Sequence, residues 1–94
     1  MLGRNIISVL EMIGTLLEIK GENPFKSRAY FNAARALAER EDLDEIVASG
    51  RLREIKGIGE AIAGRITEYV NTGKMAYLEE LTREVPESLV ELVE

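Results

Sequence analysis

The chain has 94 residues, 46% of them hydrophobic and 31% charged, with a formal net charge of −5 at pH 7. This is one small domain with enough apolar content for a single core. It contains no cysteine and no histidine, which excludes disulfides, thiol chemistry and the usual zinc ligand sets. No stretch is a membrane-spanning apolar run and the N-terminus carries no signal-peptide pattern, so a soluble cytoplasmic protein is expected.

In chain order the pattern is helical. Ile6, Val9, Leu10, Ile13, Leu16 and Leu17 fall on one stripe with Glu11 and Glu18 off it, which predicts a long first helix over residues 5–20 closed by Gly21. Asn23 suits an N-cap and Pro24 a first helical position. A second helix should therefore run from there to about Glu39. Its alanines, Ala29, Ala33, Ala34, Ala36 and Ala38, allow a neighbouring helix close, and Phe25, Tyr30 and Leu37 are its expected anchors.

Glu41-Asp42 and Asp44-Glu45 favour the positive start of a third, short helix ending near Ser49-Gly50. A very short helix over residues 51–54 and a longer one from Glu60 to about Thr72 follow, the latter capped by Gly73. Residues 74–84 should form another helix with Met75, Leu78 and Leu81 inward. Pro86 then restarts the chain for an apolar turn through Leu89, Val90 and Val93. Alternating strand patterns are missing, so the class is all-α. Residues 1–84 make the domain, and residues 85–94 begin a following helical subdomain.

The informative stretch joins the two short-spaced helices. Leu52 and Ile55 are apolar, Gly57-Ile58-Gly59 makes a reversal, and Ile62, Ile66, Tyr69 and Val70 continue at helical spacing. Gly57 can take a positive φ, and Gly59 has no Cβ to block an approaching backbone. Ile58 can plug the gap between the helices, while Ala61 and Ala63 keep the next helix thin at its start. The free amides and dipole of that helix start form a seat for phosphate. A bare Gly-x-Gly would be an ordinary turn; the longer pattern Leu52-x-x-Ile55-x-Gly57-Ile58-Gly59-x-x-x-Ala63 resembles the helix-hairpin-helix motif. In that family the hairpin amides hold a DNA phosphate without reading a base.

Charge is unevenly spread. Residues 23–38 carry Lys26, Arg28 and Arg35 with no acid, and residues 49–74 carry Arg51, Arg53, Lys56, Arg65 and Lys74 against Glu54, Glu60 and Glu68. Residues 75–94 hold Arg83 alone against six acids. A solvated face is the ordinary reading of such asymmetry. Because the basic segments include the hairpin, a local basic surface for nucleic acid is the better one.

The wider match is to the N-terminal domain of bacterial or archaeal family X DNA polymerases. It runs through Glu22-Asn23-Pro24-Phe25-Lys26-Ser27-Arg28-Ala29-Tyr30, Ala33-Ala34-Arg35-Ala36-Leu37, the segment from Gly50 to Ala63, Thr72-Gly73-Lys74, Tyr77-Leu78-Glu79-Glu80-Leu81 and Val85-Pro86-Glu87-Ser88-Leu89. The resemblance implies a compact helical domain related to the lyase domain of DNA polymerase beta, which grips the 5′-phosphate of gapped or nicked DNA in base-excision repair. It assigns DNA contact to Phe25, Lys26, Tyr30, Arg53 and Arg65, and to Gly57, Ile58, Gly59, Glu60 and Ala61 of the hairpin. Lys26 and Arg53 would hold phosphate. Phe25 would stack on a template base, against the alternative of a core anchor beside Pro24. For Lys26 the alternative is an exposed helix lysine.

The departure from the family concerns chemistry. Excising a 5′-deoxyribose phosphate needs a neutral amine to form a Schiff base with the sugar aldehyde. On the resemblance Arg65 holds the nucleophilic lysine position, Ala61 and Tyr77 hold two further lysine positions, and Gly64 stands where a carboxylate belongs. Arginine stays protonated far above neutral pH, so it offers essentially no neutral amine at pH 7. Efficient lyase chemistry is therefore not expected, although Lys26 and Lys56 leave weak activity open.

Polymerisation needs aspartates around Mg²⁺ ions. Asp42 and Asp44 are the only aspartates, so Mg²⁺ belongs to a polymerase domain expected further along a longer chain. The resemblance also implies a monovalent cation, Na⁺ or K⁺, at the hairpin on the carbonyls of Arg53, Ile55 and Ile58. A monomer within a larger polymerase is expected. The reading from a different class is a helical protein-interaction domain with little DNA affinity, which the acidic net charge would permit.

Overall fold

A computed structural model of the chain describes residues 2–85. Among the described residues there are five α-helices: α1 Leu2–Lys20, α2 Pro24–Ala38, α3 Leu43–Ser49, α4 Glu60–Thr72 and α5 Ala76–Glu84, with a 3₁₀ turn at Leu52–Glu54 before α4. No strand occurs among the described residues, so the all-α expectation holds. The proposed start of a further subdomain, including the turn after Pro86, lies outside the described residues.

The stripe on α1 is the floor of the core. Ile6, Leu10, Ile13, Leu16 and Leu17 are buried, Val9 is half-buried, and Glu11 and Glu18 face solvent. The helix begins three residues earlier than predicted, at Leu2. α1 packs most extensively on α2, and small residues let them approach: Ala33 and Ala34 are buried. Opposite them Gly14 is so close to Phe31 that a Cβ would stand 2.9 Å from its ring.

α2 starts as its cap predicts. The Asn23 side chain accepts the Phe25 N–H at 2.9 Å and Pro24 opens the helix. Its buried face is Ser27, Tyr30, Ala33, Ala34 and Leu37. Phe25 is not an anchor: it is 75% exposed. The reason is helical phase, since five residues before Tyr30 places Phe25 about 140° around the helix from it.

α3 begins at Leu43 rather than at the preceding acids. Asp42 is its N-cap residue but makes no capping bond. Its carboxylate instead accepts from Arg40 Nε and Nη2, both at 3.1 Å, and that guanidinium holds the Asp42 pKa below its ordinary value.

α5 starts at Ala76, two residues later than predicted. Thr72 Oγ1 accepts the Lys74 N–H at 3.1 Å, holding that residue in the turn, and Glu68 of α4 accepts the Ala76 N–H at 3.0 Å. Met75 and Leu81 are buried, whereas Leu78 is half-buried. Lys20 Nζ reaches Glu84 Oε2 at 2.7 Å and ties the end of α5 to the end of α1.

Candidate nucleic-acid interface

The hairpin forms because its glycines and apolar plugs make different demands. Leu52, Ile55 and Ile58 all point into the core. Bringing Ile58 inward so soon after Ile55 requires a tight turn, closed by the Ile58 N–H on the Ile55 carbonyl at 3.1 Å. Gly57 turns the chain with φ +99°, and even so a Cβ there would lie 3.7 Å from Ala36 of α2. Gly59 is different. Its φ of −83° and ψ of 174° are open to any residue, and a Cβ would meet nothing within 4 Å. The fold itself does not need a glycine at position 59.

Gly59 is the N-cap of α4 and has no side chain to bond the first-turn amides. Glu60, Ala61 and Ile62, whose amides open the helix, line an open cavity of ≈ 420 Å³. α2 contributes Lys26, Ala29 and Tyr30 to its lining. The hairpin contributes Gly57 and Gly59, α4 contributes Glu60, Ala61, Ile62 and Arg65, and α5 contributes Tyr77. Two cations and the positive end of a helix thus face one volume, with Glu60 as the single acid in its lining among the described residues.

That acid is partly offset, since Arg53 Nε lies 3.8 Å from Glu60 Oε1. Lys26 Nζ is 3.4 Å from Glu22 Oε1, one helical turn earlier. Both pairs are solvent-exposed and hold their partners weakly. Arg65 is held otherwise. Its guanidinium carbon sits 4.0 Å from the centre of the Tyr77 ring. Tyr77 stacks in turn on Tyr30, with centroids 6.0 Å apart and planes inclined by 24°. Burial pushes the Tyr30 hydroxyl pKa up, against the opposing pull of Arg65.

The structure therefore brings together Lys26, Tyr30, Gly57, Gly59, Glu60, Ala61 and Arg65 of the residues singled out in the sequence. Ile58 and Ile55 are core plugs, and only their backbone is available to a ligand. Arg53 is outside the cavity lining and reaches it through Glu60. Phe25 lies next to Lys26 with its ring in solvent. The sequence reading placed Tyr77 only at a lost lysine position and missed its ring contacts with Arg65 and Tyr30. Tyr77 is far from Tyr30 and Arg65 in the chain, and only the packing of α5 joins them. No group of carboxylates that could hold a metal ion occurs among the described residues, and no helix there is long and apolar enough to cross a membrane.

Two helices joined by a glycine hairpin, with the second helix opening on a cationic cavity, define a helix-hairpin-helix protein. The helix-hairpin-helix domain family matches residues 1–75, and the chain belongs to that family. Over 90 residues, 96% of its length, the chain is 40% identical to the DNA polymerase/3′-5′ exonuclease PolX of Bacillus subtilis (strain 168). It spans 15% of that relative's length. The likeness to family X polymerases drawn from the sequence thus extends across nearly the whole chain.

Proposed function

We propose that this domain binds DNA and grips the 5′-phosphate side of a gap or nick, as part of a family X polymerase acting in repair. The observation that carries the proposal is the shared cavity: Lys26 and Arg65 face the uncapped first turn of α4 across it. A phosphate there would receive charge-assisted hydrogen bonds and helix amides together. The exposed Phe25 ring is free to stack on an unpaired base, worth about 1–3 kcal/mol whatever the base.

Excision chemistry is a poor fit. Lys26 is the only lysine lining the cavity among the described residues, and Arg65 offers no lone pair at neutral pH. The domain is proposed to hold a 5′-deoxyribose phosphate without removing it efficiently. The cation proposal has some support in the turn. Among the described residues the Arg53 and Ile58 carbonyls accept no hydrogen bond, and the Ile55 carbonyl accepts one. A monovalent ion held by these oxygens would add positive charge beside the phosphate.

The test is a titration of gapped DNA with a 5′-phosphate against the same DNA ending in a 5′-hydroxyl, at low salt. Tighter binding of the phosphorylated form is expected; equal affinity refutes the proposal and favours a protein-interaction domain. Borohydride trapping on a pre-incised abasic substrate should give little adduct with the unaltered chain, because an imine forms only when a neutral amine condenses with the aldehyde and releases water. Strong trapping would make Lys26 or Lys56 the nucleophile.

A further inference from the structure

The Arg65 guanidinium is committed on its face to Tyr77 and lies near the Tyr30 hydroxyl, and no acid among the described residues takes up its charge. Its carbon lies 4.0 Å from the Tyr77 ring centre. The ring beneath it is itself fixed. Tyr77 stacks on the buried Tyr30, and α5 is tied to α1 by Lys20–Glu84 and to α4 by the Glu68 cap on Ala76. Side chains of α2, α5 and α4 thus form one stack that ends at the guanidinium.

From this geometry we infer that Tyr77 is a positioning residue, which presents Arg65 edge-on to a terminal phosphate monoester and so sets the preference for a phosphorylated 5′ end. The inference rests on the proposed phosphate-binding role of the cavity and assigns the discrimination within it. An arginine lying flat on an aromatic ring keeps its N–H donors in one plane, directed outward as a fork. A terminal phosphate has three non-bridging oxygens and a second negative charge, and it can fill that fork bidentately. A 5′-hydroxyl can do neither. Holding the fork in place before the ligand arrives also removes the rotamer entropy that a free arginine would lose on binding. The cation–π contact does this without a competing carboxylate, which would neutralise the same charge.

The experiment uses the full chain and the ratio of affinities for gapped DNA with a 5′-phosphate and with a 5′-hydroxyl. Tyr77→Phe keeps the ring and should keep the ratio within about twofold. Tyr77→Leu keeps an apolar side chain without a ring and should lower the ratio about three- to tenfold, the larger loss falling on the phosphorylated form. In an Arg65→Gln background Tyr77→Leu should have no further effect on the ratio. If Tyr77→Leu does not fold, Tyr77→Met takes its place. Equal losses on both substrates would mean that Tyr77 only supports the fold, and the inference fails. An undiminished ratio in Tyr77→Leu also overturns it. A ratio of one in the unaltered chain is a separate result, which removes the phosphate-binding role itself.

Discussion

At the scale of single residues, the hairpin separates glycines that the fold requires from one that it does not. Gly57 sits at φ +99°, where a side chain is strained by about 1–3 kcal/mol. Gly59 has ordinary dihedrals and open space where its Cβ would be. A serine at position 59 is therefore expected to cap α4, its hydroxyl accepting a first-turn N–H. Replacing a glycine N-cap in this way should raise stability by up to a few tenths of a kcal/mol. The same hydroxyl occupies a donor that a DNA phosphate would use, and its bulk stands in the cavity. Gly59→Ser should thus melt no lower than the unaltered chain, by circular dichroism, while binding 5′-phosphorylated gapped DNA several-fold more weakly. Loss of stability would show that position 59 serves the fold, and unchanged binding would show that the α4 amides are not the seat.

At the scale of elements, what could be read from the sequence is what is local. Asn23-Pro24, the stripe on α1, Gly73 and the glycine hairpin each carry their instruction within a few residues, and each forms where expected. Phe25 was ambiguous because an aromatic beside a helix start suits a core or a ligand equally; only the phase of α2 against α1 turns it outward. The stack of Arg65, Tyr77 and Tyr30 and the Gly14–Phe31 contact are invisible in the sequence because both depend on which helices meet. The latter makes a sharp test of the α1–α2 packing. Gly14→Ala adds a Cβ at 2.9 Å from the Phe31 ring, and crowding of this kind costs about 1–3 kcal/mol. In a helix interior alanine alone is better than glycine by roughly 0.8–1.0 kcal/mol. The substitution should therefore be neutral to destabilising by about 2 kcal/mol. In a Phe31→Leu background, where the ring is gone, the same change should stabilise by up to about 1 kcal/mol. Chemical denaturation of the four proteins checks it, and the same sign in both backgrounds would mean that the helices are not pressed together at Gly14.

At the scale of the whole molecule, an acidic protein must bind a polyanion through one face. The formal net charge is −5, yet the cavity carries Lys26 and Arg65, while Glu79, Glu80 and Glu84 are exposed on α5. These acids repel DNA through solvent, so their effect fades with the Debye length, from roughly 30 Å at 0.01 M salt to 10 Å at 0.1 M. On the proposed function the cavity cations would act by contact and release counterions. Each phosphate neutralised on duplex DNA should contribute about −0.9 to the slope of log K against log[salt]. With Lys26 and Arg65 engaged, and Arg53 added once it leaves Glu60, the slope should lie at roughly −2 to −3. Lys26→Gln should weaken binding at every salt concentration and flatten the slope by about 1. Glu80→Gln should strengthen binding at low salt and converge on the unaltered chain by about 0.2 M, because it removes repulsion without adding a contact. Fluorescence anisotropy across a salt series measures both. If Lys26→Gln leaves the slope unchanged, its ammonium does not touch a phosphate, and it is a solvated helix lysine paired with Glu22. If the two variants shift the slope alike, binding follows net charge alone, and the cavity has no special part in it.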